Sequence, residues 1–225
     1  MQQVHSEGAK IVLFGSFNPS IFQPHWLGQL ELIRKAEAEN CTIAIIQDQV
    51  ADFKTEWFRM QVLLNRFLVE TLDATHYEPV KDLVAGIFRY LPHTPLTKLV
   101  IGRYFHYEMK NVEAWHEVGH ALAPKKIWAH FMEKPGLRST LIEGKRKGVE
   151  SGTLLVSTQP STVVENGVFV EVLEEHAAIT TSVPVNAEWI NAVLVKEWSS
   201  MMSYAEELGS NLLDRISDNA KLEEA

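Results

Sequence analysis

Three groups of residues in this 225-residue chain have types and spacings that chemistry could use. Gly15-Ser16-Phe17-Asn18-Pro19 follows the apolar run Ile11 to Phe14 and leads to an amphipathic stretch opening near Pro24 and His25. A glycine turn between a strand and a helix can hold a phosphate, because free backbone N–H groups and the helix N-terminus favour anions. It can equally be the way a strand hands over to a helix. His116-Glu117-Val118-Gly119-His120 has H-E-x-x-H spacing. On a helix two imidazoles at i and i+4 share a face and can bind zinc, with the glutamate as base. The competing reading packs Trp115, Val118 and Leu122 and leaves the histidines at the helix edge. It is favoured, since Pro124 ends the helix and no H-x-x-G-x-x-H extension follows. The third group is basic. Between Lys125 and Lys147 there are seven Lys or Arg against two Glu, a local balance of +5 that leaves −13 for the rest of a chain of net charge −8.

Nucleophiles are poorly supplied. Cys41 opens an apolar strand and is expected to be buried and inert. There is no G-x-S-x-G elbow and no Walker loop. Neither a catalytic residue, a metal ligand nor a cofactor is assigned.

The chain has 46% hydrophobic residues, enough to give a single globular unit over 1–225 a real core. The lone cysteine excludes an internal disulfide and suits a reducing, cytoplasmic setting. No apolar run approaches the ~20 residues that span a bilayer, and MQQVHSEGAK lacks a signal-peptide pattern. The acidic balance disfavours a general nucleic-acid surface.

The elements that would position these groups follow from periodicity. A first helix over about His25 to Glu39 places Trp26, Leu30 and Ile33 on one face. Cys41 to Ile46 reads as a strand. Phe53 to Leu72 alternates in a way that suits a strand turning near Asn65-Arg66 into a second strand, although Trp57, Met60, Leu64, Phe67 and Leu68 also fit a helical stripe; strands are favoured. Tyr77 to Leu91 is a helix, with Val80, Leu83, Val84, Ile87 and Phe88 on one face and Pro92 as its stop. Lys98 to Tyr107 is a strand. Asn111 caps a helix through Leu122, and a further helical turn carries Ile127, Trp128, Phe131 and Met132. Leu137 to Gly144 and Thr153 to Thr158 are strands, Lys145 to Gly148 a hairpin tip, and Val163 to Val170 a hairpin turning at Asn166-Gly167. A long helix starts at Asn186, and its tail frays after Ile216.

Strand, helix, strands and helix therefore occur over 10–92 and again over 98–216. The openings KIVLFGSF at Lys10 and KLVIGRYF at Lys98 look alike. The expected fold class is α+β: two pseudo-repeated strand-helix-strands-helix halves with mainly antiparallel sheet packed against helices.

The segments Phe14 to Trp26, Phe53 to Phe67, Leu91 to Gly102, and Trp115 with His116, Gly119, His120 and Ala123-Pro124-Lys125 resemble a sporadically distributed group of bacterial proteins with no established activity. The resemblance implies a shared fold, a structural role for Gly15 to Pro19, and an accessory role of the defence or mobile-element kind. Gly15 to Pro19 followed by His25 also resembles the opening motif of nucleotidylyltransferases, over about 15 residues. In that family a histidine pair opening the next helix steadies the transferring phosphates. Here Ile21 stands at the first histidine position, His25 comes one residue late, Pro24 replaces a glycine, and Ser157 to Thr162 lacks the basic residue of the later phosphate motif.

The reading that follows is a non-enzymatic interaction module acting through a protein partner. It would engage that partner through its sheet face or through Lys125, Lys126, Arg138, Lys145, Arg146 and Lys147. A nucleotidylyltransferase-like enzyme and a zinc hydrolase using His116, Glu117 and His120 are the alternatives.

Overall fold

The computed structural model describes residues 3–147, 149, 152–177 and 187–223. Gly148 of the expected hairpin tip and Asn186 at the expected start of the last helix lie outside the described residues. The strands are β1 (Gln3–Gly15), β2 (Thr42–Gln47), β3 (Val50–Lys54), β4 (Arg59–Leu63), β5 (Arg66–Thr71), β6 (Leu96–Glu108), β7 (Thr140–Gly144), β8 (Thr153–Pro160) and β9 (Gly167–Ala177). The helices are α1 (Pro24–Gln29), α2 (Lys35–Glu39), α3 (Tyr77–Tyr90), α4 (Val112–Leu122), α5 (Lys125–Trp128) and α6 (Ala187–Glu223). The strands form one antiparallel sheet in the order β2-β3-β4-β5-β1-β6-β9-β8-β7. The class is α+β, as expected.

Two long strands, β1 and β6, form the middle of the sheet. Their period-2 pattern sends Ala9, Ile11, Leu13, Leu99, Ile101 and Phe105 to one face, all buried. Helices α3 and α6 pack on that face. Helix α3 forms where predicted because its stripe Val80, Leu83, Val84, Ile87 and Phe88 is buried against the sheet. Phe67 of β5 sits at the centre of an aromatic cluster, 5.1 Å from Phe88 in an edge-on contact and 5.4 Å from Phe22. Truncating such a fully buried phenylalanine costs about 3–5 kcal/mol. On the α6 side, Arg103 donates to Glu7 at 2.6 Å and to the Met202 carbonyl at 2.9 Å, tying β1 and β6 to α6.

The opposite face carries paired charges beside apolar and aromatic side chains such as Val12, Val100, Tyr104 and Phe169. Lys10 bonds Glu171, Lys98 bonds Glu175 at 2.8 Å, and Arg59 bonds Asp52 at 2.7 Å.

Four expectations need correction in detail. The first helix is broken into α1 and α2, with Glu31 between them at φ 57°. Gly28 lets the two pieces pack closely, since a Cβ there would lie 3.1 Å from Ala38 Cβ. The segment 53–72 is extended, as favoured, but as three strand pieces. The 163–170 hairpin is not a two-residue turn. Ser161 Oγ accepts from the amides of Val163 and Val164, which folds that segment into a loop and leaves β8, ending at Pro160, as the partner of β9. The last helix continues past Ile216 to Glu223.

Candidate functional site

The Gly15 turn is built into the sheet. Gly15 N donates to Asn65 O, Ser16 N to Pro95 O at 3.0 Å, and Phe17 N to Leu64 O at 2.9 Å. Amides that would meet a phosphate are thus already bonded to backbone carbonyls. The Asn18 carboxamide accepts from Ser20 N and caps a short 3-10 turn. Ser16, Asn18, Ile21, Tyr90 and His93 line a hollow of about 340 Å³ that contains no Lys or Arg. His25 lies elsewhere, in a separate depression with Lys35 and Glu39.

Helix α4 is capped by the Asn111 side chain, which accepts from Ala114 N at 2.9 Å. Val118 is its buried residue, and Trp115 donates its indole N–H to Gly167 O at 3.1 Å. His116 and His120 are exposed and Glu117 is half-buried. Burial, then the charges of Lys125 and His116, lower the pKa of His120. Among the described residues no group of three or more His, Cys, Asp or Glu side chains is placed to hold a metal ion. Cys41 is half-buried, immediately before β2, and burial raises its thiol pKa.

The six basic residues singled out in the sequence do not form one surface. Lys126, Arg138, Lys145 and Lys147 are exposed and Lys125 is half-buried. Arg146 is a correction: it is 5% exposed and points inward. Its guanidinium donates to Ser200 Oγ at 2.6 Å, Glu197 at 2.7 Å and Glu174 at 3.2 Å, and lies over the Tyr204 ring. The physical reason is that two buried carboxylates, on β9 and α6, require a cation between them. Arg146 is therefore an anchor that holds Lys145 and Lys147 at the sheet edge.

Large apolar side chains also stand in water along this stretch of chain. Pro124 ends α4 and starts the four-residue α5. Phe131 N and Met132 N both donate to Trp128 O, which curls the chain back on itself. Lys134 at φ 49° and Pro135 then redirect it toward β7. Such a short helix has no room for a buried stripe, so Ile127, Trp128, Phe131 and Met132 are all exposed, Phe131 at 75%. Leu141 and Ile142 on β7 are exposed as well, and β7 is the last strand of the sheet. An edge strand offers unpaired N–H and C=O groups to another chain. Among the described residues Lys125, Lys126, Lys134, Arg138, Lys145 and Lys147 make no ion pair, whereas Lys10, Lys81, Lys98 and Lys196 each do.

No family model matches this chain, and no curated protein matches it.

Among the described residues the α5–β7 end combines exposed aromatics, an edge strand and cations without an ion pair. Sequence reasoning found the cations from their local excess and missed the apolar side chains among them, because apolar residues at helical spacing read equally well as core.

Proposed function

We propose that this protein is a non-enzymatic binding module whose α5–β7 end docks a protein partner carrying an acidic and apolar segment. The observation that carries the reading is the exposed run Ile127, Trp128, Phe131 and Met132, in a stretch of chain whose Lys126, Lys134 and Arg138 make no ion pair within the described residues and which leads into the edge strand β7 with Leu141 and Ile142 exposed. Exposed apolar groups rimmed by polar ones mark interaction surfaces. Aromatic anchors such as Trp128 and Phe131 carry most of the energy at such interfaces. The paired charges on the opposite face of the sheet make that face the weaker candidate. Within the resemblance to the sporadically distributed bacterial group, the role is that of an accessory component that works through its partner in a reducing compartment.

We also infer that the two halves, 10–92 and 98–216, are a structural repeat. The support is that an offset of 88 residues equates Val12 with Val100, and these two residues are paired directly across β1 and β6. The rotation near 180° that carries β1 onto β6 should also carry β5 onto β9, β4 onto β8 and α3 onto α6; a rotation that brings only the central strands together contradicts the repeat.

Docking is tested by placing a photo-crosslinking residue at Phe131 and, separately, at the distant exposed Asp82 of α3. Crosslinking of one defined protein from Phe131 alone supports the surface. Equal crosslinking from both positions, or from Asp82 only, rejects it.

A further inference from the structure

Beneath α4 and α5 lies a cavity of about 590 Å³, walled by Trp115, Val118, Leu137, Pro160 and Val168. Its volume falls in the range of about 300–1,000 Å³ typical of small-molecule sites. Its charge is one-sided: Lys125, Lys126 and Lys134 line it and no Asp or Glu does, in a chain of net charge −8. Polar atoms are otherwise few, His116, Thr158 and Gln159 supplying the side-chain donors and acceptors. Apolar walls with a cluster of ammonium groups match a molecule that has a hydrocarbon body and an anionic end. Three like charges lining one hollow, with no ion pair to any of them among the described residues, repel one another until an anion arrives.

We propose that this cavity binds an amphipathic small-molecule anion, of the class of medium-chain alkyl carboxylates or alkyl phosphates. The apolar body would lie against Trp115, Val118 and Val168, and its removal from water supplies the bulk of the affinity. The anionic group would be held by charge-assisted hydrogen bonds from Lys125, Lys126 and Lys134, which are about twice as strong as neutral ones. Gly119 of α4 borders the cavity, and a Cβ there would meet only Leu137 Cβ, at 3.9 Å. Larger side chains at 119 would therefore grow into the hollow without striking the backbone. The proposal shares Lys125, Lys126 and Lys134 with the docking end, whereas Phe131, Arg138, Lys145 and Lys147 lie outside the cavity walls, so variants there separate the two.

The test is calorimetric titration of the full chain with decanoate, decyl phosphate and decanol, each below its aggregation limit. The expected result is binding of at least one of the two anions with an affinity about tenfold or more above that of decanol. Which anion is tighter distinguishes the carboxylate from the phosphate. Changing Lys125, Lys126 and Lys134 together to Met should remove that preference. Gly119→Leu should abolish binding while thermal stability holds, and Phe131→Asp should leave binding unchanged. Decanol binding as tightly as both anions, or anion binding that survives Gly119→Leu in a folded protein, overturns the proposal.

Discussion

Arg146 and Glu197 meet at 2.7 Å with both side chains almost completely buried. This contact joins the segment before β8 to α6 and converts a residue from a basic run into part of the interior. Removing one partner of a buried pair leaves an uncompensated charge, which costs about 3–5 kcal/mol. Arg146→Met should therefore lower stability by about that amount in urea denaturation, with Glu174 and Glu197 both left without the guanidinium. Lys145→Met and Lys147→Met, at exposed positions, should change it by less than about 0.5 kcal/mol.

The same residue shows how much of the molecule was legible in the sequence. Helix α3 was readable because its stripe and its Pro92 stop are local. The antiparallel character of the sheet followed from short alternating strands separated by turns. The burial of Arg146 was not readable, because its carboxylate partners lie 28 and 51 residues away. The break between α1 and α2 depends on Gly28 packing against Ala38, a tertiary contact that periodicity does not encode. At the candidate surface the cations were legible as an excess of charge. The exposure of Trp128 and Phe131 was not, since a four-residue helix between two prolines gives apolar residues nowhere to go.

Gly15 tests whether the turn is structural. A Cβ at that position would lie 2.2 Å from the Pro95 carbonyl oxygen, a backbone atom that can give way only if β6 shifts. Gly15→Ala should destabilise the protein by about 1–3 kcal/mol. His25→Ala should fall within about 0.5 kcal/mol of the native protein. Millimolar ATP should leave the melting temperature of the native protein unchanged, because the amides at 15–17 are already bonded. A rise with ATP that disappears in His25→Ala would revive the nucleotidylyltransferase reading.

Acid should weaken the fold through a charge pair on the outer face of the sheet. The Arg59 hydrogen bond is the main cause holding the Asp52 carboxyl below its ordinary pKa, against the opposing effect of burial. A lowered native pKa means stability that is fully present above the unfolded value of about 3.9 and lost as the pH falls through the native value. Denaturation midpoints should therefore be flat from pH 7 to about 5 with respect to this group and fall below about pH 4. Asp52→Asn should make that fall less steep. An identical slope in the variant would show that the Asp52–Arg59 pair plays no part in it.

Chelation separates the zinc reading from the packed helix. The account predicts that excess chelator leaves the melting temperature unchanged, and that His116→Ala with His120→Ala keeps it within the change of about 0.5 kcal/mol expected at exposed sites. A chelator-induced fall that is absent from the double variant would instead place a metal at α4.

The central claim is that the α5–β7 end docks a partner, and quantitative co-purification tests it most directly. The native chain would be compared with Phe131→Asp and with the triple change of Arg138, Lys145 and Lys147 to Glu, each checked for native stability. The account predicts that one specific partner is lost at least about tenfold in both variants, as expected for an aromatic anchor and for a reversed charge set. Undiminished recovery of that partner with both variants would contradict it.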